Sequence, residues 1–267
     1  MPQFLKIIEQ QVRLVPQSGS ILKSFKRALI LPFEAVRKYR QSVVCTDIVV
    51  NDDFDQEHGT ETSLRVHVTD LNIAQPNWIH ASPYFPTPSR LLAEILHSVA
   101  NIDLASRLKN LTFIDLGCGK GRVLLMASQL PFKKIVGVEL SQELSATAER
   151  NIKVYQGVQL CGDIEVRTMD FTEYKFPDDP LFVFLYNPAS LALSQVLARN
   201  LMRSIAKHPR EVWILYVTPH EVFENESTLE KVRSGECLGH PYNLYRTLTS
   251  LSLHAVTERP LRESRSA

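Results

Sequence analysis

From Leu111 onward, apolar and polar positions follow two alternating periods. Short apolar runs at Thr112–Leu116, Lys134–Val138, Ile164–Met169, Leu181–Tyr186 and Glu211–Val217 predict strands. Between them, positions spaced by three and four near Arg122–Gln129, Gln142–Ile152 and Ser190–Ala206 predict helices. Phe182-Val183-Phe184-Leu185 is apolar at every position, as a strand covered on both faces requires. Strands that alternate with helices of this length predict right-handed crossovers and a mostly parallel sheet. Past Val217 the pattern weakens. Tyr242–Leu248 and Leu251–Thr257 are expected to pair as an antiparallel hairpin around Thr249-Ser250.

Ahead of this region the pattern is less regular. A helix is predicted from Ser89 through Leu91, Leu92, Ile95, Leu96 and Val99. Residues 51–90 read as an irregular connector, because Pro76, Pro83, Pro86 and Pro88 oppose regular structure. Residues 1–50 form a helix-prone lead. Ser20 is placed to cap a helix that runs to Leu31 and stops at Pro32, with Ile21, Leu22, Phe25, Ala28 and Leu29 near one face. The expected domains are therefore a helical extension and cap over residues 1–83 and an α/β domain over 84–267.

Composition narrows the class. The chain has 267 residues, 44% apolar and 22% charged, close to soluble globular usage. Lys and Arg number 30 against 29 Asp and Glu, so the chain is not a uniformly basic nucleic-acid coat, and a nucleic-acid partner is disfavoured. The charge is uneven, however. Residues 1–40 hold eight basic side chains and two acidic ones. That lead either docks on the main domain or meets a membrane surface or an acidic partner. No apolar run reaches the ~18 residues of a spanning helix, and the first residues do not read as a signal peptide. Cys45, Cys118, Cys161 and Cys237 are widely spaced, which suggests neither a metal site nor a disulfide framework and makes the cytoplasm the expected location.

Glycine marks the chemistry. Three of only 10 glycines, Gly117, Gly119 and Gly121, fall within Asp115-Leu116-Gly117-Cys118-Gly119-Lys120-Gly121-Arg122, where the first strand gives way to a helix. Such a turn lets a ligand approach the backbone, and the positive helix end favours an electron-rich group. The G-x-G-x-G spacing differs from the dinucleotide G-x-G-x-x-G. Asp115 opposes a pyrophosphate and suits a cationic ligand. S-adenosylmethionine carries an ammonium and a sulfonium and no phosphate. Glu139 ends the second strand 22 residues past Gly117, where an acidic side chain reaches ribose hydroxyls. Asp170 and Phe171 end the third strand, placed for an adenine amino group and its ring face. Asn187-Pro188 ends the fourth, facing the side where ligands of open sheets bind.

In this order and rhythm, Asp115–Arg122, Glu139, Asp170 and Asn187-Pro188 resemble the class I S-adenosylmethionine-dependent methyltransferases. The resemblance covers roughly residues 84–220. It implies a Rossmann-like, seven-stranded, mostly parallel sheet with helices on both faces and a reversed hairpin at one edge. It also implies that Asp115, Gly117, Gly119 and Gly121 line the methionine end of S-adenosylmethionine, that Glu139 holds the ribose, and that Asp170 and Phe171 hold the adenine. Asn187 and Tyr186 would then face the acceptor as catalytic residues. Tyr84-Phe85-Pro86-Thr87-Pro88 resembles the segment that closes over the cofactor in some non-SET protein-lysine methyltransferases, so Tyr84 and Thr87 are implied lid residues; Phe54-Asp55 through Gly59 and Thr62 would join that cap. One departure is informative. Ala189-Ser190 stands where enzymes acting on planar amino nitrogens often carry a second proline and an aromatic.

The expected function is methyl transfer to an amine, with protein lysine in first place. Small-molecule or RNA methylation, a non-catalytic cofactor-binding scaffold and an NAD-dependent dehydrogenase are the competing readings. A lysine acceptor must lose its proton, and a wall from Tyr186 or Tyr84 would lower its pKa. His220, after Thr218-Pro219, reads either as a base or as a surface histidine.

Overall fold

The computed structural model describes residues 52–67, 71, 83–98, 104–187 and 190–248. The expected helix at residues 20–31, the basic lead and Leu251–Thr257 lie outside them. In chain order the helices are α1 (Phe54–His58), α2 (Leu91–Ser98), α3 (Arg122–Ser128), α4 (Gln142–Val154) and α5 (Leu191–Lys207). The strands are β1 (Thr112–Leu116), β2 (Lys134–Glu139), β3 (Ile164–Thr168), β4 (Leu181–Tyr186), β5 (Val212–Val217), β6 (Leu229–Cys237) and β7 (His240–Thr247).

One seven-stranded sheet results, in the order β3-β2-β1-β4-β5-β7-β6. The first five strands are parallel to their neighbours, and β7 enters antiparallel between β5 and β6. Side chains alternate between two cores, as strand geometry dictates. Phe113, Phe182, Phe184, Trp213 and Leu215 pack with α2 and α3 on one face. Ile114, Val183, Leu185, Ile214 and Tyr216 pack with Leu197, Leu201 and Ile205 of α5 on the other. The sheet and its reversed hairpin match the expected architecture, but the hairpin sits elsewhere. Its first arm is β6, its turn is Leu238-Gly239, and β7 is its second arm. β6 is an edge strand whose residues are mostly exposed or half-buried, so its composition, with Glu230, Lys231, Arg233 and Glu236, carries no apolar alternation to read.

The stretch read as an irregular connector is tied down. Asp52 accepts two hydrogen bonds from Nη1 of Arg122, at 2.9 and 2.8 Å. Arg122 also donates from Nε to Thr62 Oγ1 at 2.7 Å, from Nη2 to Ser63 Oγ at 2.6 Å and from Nη1 to the Thr87 carbonyl at 3.3 Å. Its guanidinium lies 4.8 Å from the centre of the Phe54 ring, and its side chain is 1% exposed. Asp55 folds the same segment on itself, accepting from the backbone of Thr62 and Ser63 and from the Thr60 and Thr62 hydroxyls. Burial opposes its ionisation, but these donors outweigh burial and hold its pKa down at about 2. An antiparallel bridge between Val66 and Tyr84 joins the two halves of the cap.

Removing one partner of a buried ion pair strands the other charge. Arg122→Met is therefore expected to destabilise the fold by about 3 kcal/mol. Lys133→Ala, which breaks the half-exposed Lys133–Asp179 pair, is expected to cost less than about 1 kcal/mol. Urea unfolding of the two variants beside wild type measures both.

Candidate functional site

The site is built where β1 turns into α3. Gly117, Gly119 and Gly121 have φ of 93, 55 and 82°, the left-handed region that side chains avoid. The backbone N–H groups of Gly117 and Cys118 both donate to the Val138 carbonyl, at 2.8 and 3.1 Å, which pins the turn to the end of β2. Two of the glycines are also needed for space. A Cβ on Gly119 would stand 2.3 Å from the Tyr84 ring, and one on Gly121 would stand 3.0 Å from the Ala148 Cβ on α4.

Two carboxylates converge here. Glu139 accepts from the backbone N–H of Gly119 at 2.9 Å and of Ser141 at 2.8 Å. Asp115 and Glu139 are 3% and 8% exposed. Burial raises the Glu139 pKa, and the backbone donors only partly offset it. Burial first, and then the Glu139 charge, push Asp115 up to about 8. No cation among the described residues relieves Asp115. A buried carboxylate in that position is matched by a ligand that brings positive charge.

Above the turn lies the cap. Tyr84 packs its ring on Gly119 and donates its hydroxyl to the Thr62 carbonyl at 2.7 Å. Lys120 is buried, with Nζ 3.5 Å from Glu61 and 5.6 Å from the centre of the Tyr84 ring. Asn151 of α4 fastens cap to turn: its Nδ2 donates to the Lys120 carbonyl at 2.9 Å, and its Oδ1 accepts from the Glu61 N–H at 2.8 Å. Thr87 is buried and lends its carbonyl to Arg122. Tyr84 therefore lies over the glycine turn, whereas Thr87 takes part through the buried guanidinium.

Asp170 follows β3, beside Glu139: the Met169 N–H donates to the Glu139 carbonyl at 2.9 Å. The Asp170 carboxylate accepts from the Thr172 N–H at 2.8 Å and from its hydroxyl at 2.6 Å, capping a short 3₁₀ turn that begins at Phe171. Phe171 is half-buried and packs on the second core.

At the end of β4, Tyr186 is half-buried and burial pushes its pKa up to about 12. Its hydroxyl is 3.1 Å from Nδ1 of His240 and 3.5 Å from Nε2. Asn187 is exposed and has φ of 41°. Its N–H donates to the Val217 carbonyl at 3.3 Å, and Thr218, next along from Val217, has φ of 52°. Two adjacent strand ends thus carry non-glycine residues in left-handed geometry, a pattern concentrated at functional sites. His220 meets the Tyr216 ring edge-on at 6.4 Å.

Residues 113–210 match the family model described as a methyltransferase domain. Over these residues the chain carries a methyltransferase domain, and S-adenosylmethionine is its cofactor. Among solved structures, an RNA methyltransferase from Salinibacter ruber in complex with S-adenosyl-L-homocysteine is 18% identical, with 61% of this chain and 93% of that chain covered and a TM-score of 0.44. Magnesium protoporphyrin IX methyltransferase from Synechocystis PCC 6803 with bound S-adenosylmethionine is 13% identical, with 59% and 79% covered and a TM-score of 0.40. Neither likeness bears on the acceptor. A comparison with curated proteins gives no match. Among the described residues no helix of the methyltransferase is long and apolar enough to cross a membrane.

Several residues of the methyltransferase site had no role in the sequence reading. Arg122 stood only as the end of the glycine motif, Asp52 as part of the irregular connector, Asn151 as a helix position and His240 as a residue ahead of the expected hairpin. Asp55 enters that reading only through the implied cap of Phe54-Asp55 through Gly59 and Thr62.

The raised Asp115 pKa fixes the sign of the pH response. Below 3.8 Asp115 is protonated in both folded and unfolded chains; between 3.8 and about 8 only the unfolded chain ionises. The free methyltransferase is therefore expected to lose stability as pH rises through that window. A cationic ligand prefers the ionised carboxylate, so its affinity is expected to rise with pH toward about 8, with proton release on binding. Calorimetry of S-adenosylmethionine in buffers of different ionisation enthalpy measures that release, and Asp115→Asn is expected to remove it and weaken binding.

Proposed function

We propose that the chain transfers a methyl group from S-adenosylmethionine to an amine, the side chain of a protein lysine. The observation that carries the cofactor end of this reading is the buried Asp115–Glu139 pair beneath a glycine turn that a single Cβ would fill. Asp115, Gly117, Gly119 and Gly121 would hold the methionine end, Glu139 the ribose, and Asp170 with Phe171 the adenine. Tyr84, the first residue of the proposed domain of residues 84–267, would close over them beside a cap that reaches residue 83.

The bound cofactor supplies a methyl group that is already electrophilic, so this chain's residues act by alignment rather than by forming a covalent intermediate. Tyr186 and Asn187 stand at the carboxyl end of β4, beside β1, where the strand order reverses and ligands of such sheets bind. The Tyr186 ring offers an apolar wall that favours the neutral amine, and its hydroxyl offers a polar atom to the nitrogen. Asn187 can both donate and accept. Ala189-Ser190 in place of a proline and an aromatic leaves no stacking platform in the sequence for a planar base, which favours an amine over a nucleobase.

Labelled S-adenosylmethionine, incubated with the full chain and separate pools of protein, RNA and small metabolites, is expected to mark protein, with the label recovered as methyl-lysine. Label confined to RNA or metabolites would overturn the lysine reading. Glu139→Ala is expected to reduce cofactor affinity about 10-fold or more while the protein remains folded. Gly119→Ala, which drives a Cβ into Tyr84, is expected to abolish transfer.

A further inference from the structure

We infer that His240 is a positioning residue for methyl transfer: it orients the Tyr186 hydroxyl so that the phenol oxygen accepts a hydrogen bond from the acceptor amine. The inference rests on reading Tyr186 and Asn187 as the acceptor end of the site. It assigns to the antiparallel hairpin, which lies outside the glycine turn and its carboxylates, a part in the reaction.

His240 opens β7 and reaches the carboxyl end of the sheet because β7 runs against β5. Val217 pairs with Tyr242, and the Thr218 N–H donates to the Pro241 carbonyl at 2.7 Å. The Leu238-Gly239 turn, with φ of 51 and 79°, brings the chain back sharply enough to start β7 at this level. The imidazole then meets the Tyr186 ring edge-on, centroids 5.4 Å apart, with the phenol hydroxyl in reach of both nitrogens. The titratable and charged groups facing it are Tyr186 on β4, Cys237 opposite it on β6, and, beyond the thiol that donates to Glu94 at 3.6 Å, the pair of Glu94 on α2 with Arg90 just ahead of it.

The chemistry follows from counting donors. A neutral imidazole has one nitrogen that accepts. Tyr186, which burial keeps protonated, then donates its O–H to that nitrogen, and its oxygen lone pairs face the site. An amine can donate an N–H to that oxygen while its own lone pair points at the methyl group. An imidazolium has no accepting nitrogen. It donates to the phenol oxygen, and the phenol O–H must turn outward, where it competes for the amine lone pair that transfer needs. The neutral state of His240 is the productive one.

Two measurements on the full chain test this. ¹⁵N NMR of the imidazole, assigned by difference against His240→Asn, needs no acceptor. The expected neutral form has an unprotonated Nδ1, the nearer nitrogen; an Nδ1–H form would overturn the inference. Where an amine acceptor is methylated, His240→Ala and Tyr186→Phe are each expected to lower kcat/KM about 10-fold, with S-adenosylmethionine affinity by calorimetry unchanged. His240→Asn, whose amide oxygen accepts without titrating, is expected to restore most of the rate lost in His240→Ala. It is also expected to lack the acid limb that tracks the imidazole titration seen by NMR. An acid limb that persists in His240→Asn, or wild-type kinetics in His240→Ala, would overturn the inference. If no amine is methylated while Nδ1 is unprotonated, the acceptor reading fails and the hydrogen bond between Tyr186 and His240 is supported.

Discussion

The buried guanidinium of Arg122 is the constraint on which the site's shape depends. A charge that is 1% exposed needs partners from within the fold, and Arg122 takes them from Asp52, Thr62, Ser63 and the Thr87 carbonyl. All four come from the segments ahead of α2, whereas Arg122 itself is the first residue of α3, one position past the glycine turn. Lifting the cap would break all of these charge-assisted contacts at once. Cap and glycine turn therefore behave as one unit, with Asn151 as a second fastening between Lys120 and Glu61. The position of Tyr84 over Gly119 is a consequence of that anchoring rather than of contacts made by the ring alone.

Electrostatics divides the floor of the site into two unequal halves. Glu139 is supplied with backbone donors at Gly119 and Ser141, so its geometry is set before any ligand arrives. Asp115 is buried beside that same carboxylate and is held largely protonated near neutral pH. A ribose needs only a fixed acceptor, which Glu139 is. A sulfonium and an ammonium need a counter-charge, and Asp115 becomes one only when a cation makes ionisation favourable. The floor is thus selective by charge before it is selective by shape, which separates it from a pyrophosphate site built on the same kind of turn.

What could be read in the sequence followed from how local each signal is. Thr112–Leu116 and Leu181–Tyr186 are legible to the residue, because a strand buried on both faces is apolar throughout and is bounded abruptly by glycine or by Asn-Pro. The glycine turn is legible because positive φ at three positions permits little else. β6 is not legible: it is a charged edge strand, and its pairing with β7 is decided by the Leu238-Gly239 turn. Displacing that hairpin by one strand also hid His240. Asp52 and Asn151 carry no local signature, since each acquires its role from partners dozens of residues away.

The proposed acceptor end is made differently from the proposed cofactor end, and the contrast bears on how the two would be used. The cofactor end is assembled from consecutive turns at β1 and β2, stitched by backbone hydrogen bonds to Val138 and Glu139. The acceptor end is assembled from side chains and strand ends that meet only across the sheet: Tyr186 from β4, Thr218 after β5 and His240 from β7. Asn187 and Thr218 hold left-handed geometry without the freedom of glycine, and the contacts that hold them there are the Asn187–Val217 and Thr218–Pro241 backbone hydrogen bonds. Loss of the hairpin would release Thr218. The reversed hairpin therefore does more than close the sheet edge: through Thr218 it fixes the place where the fifth strand ends, beside the proposed acceptor site.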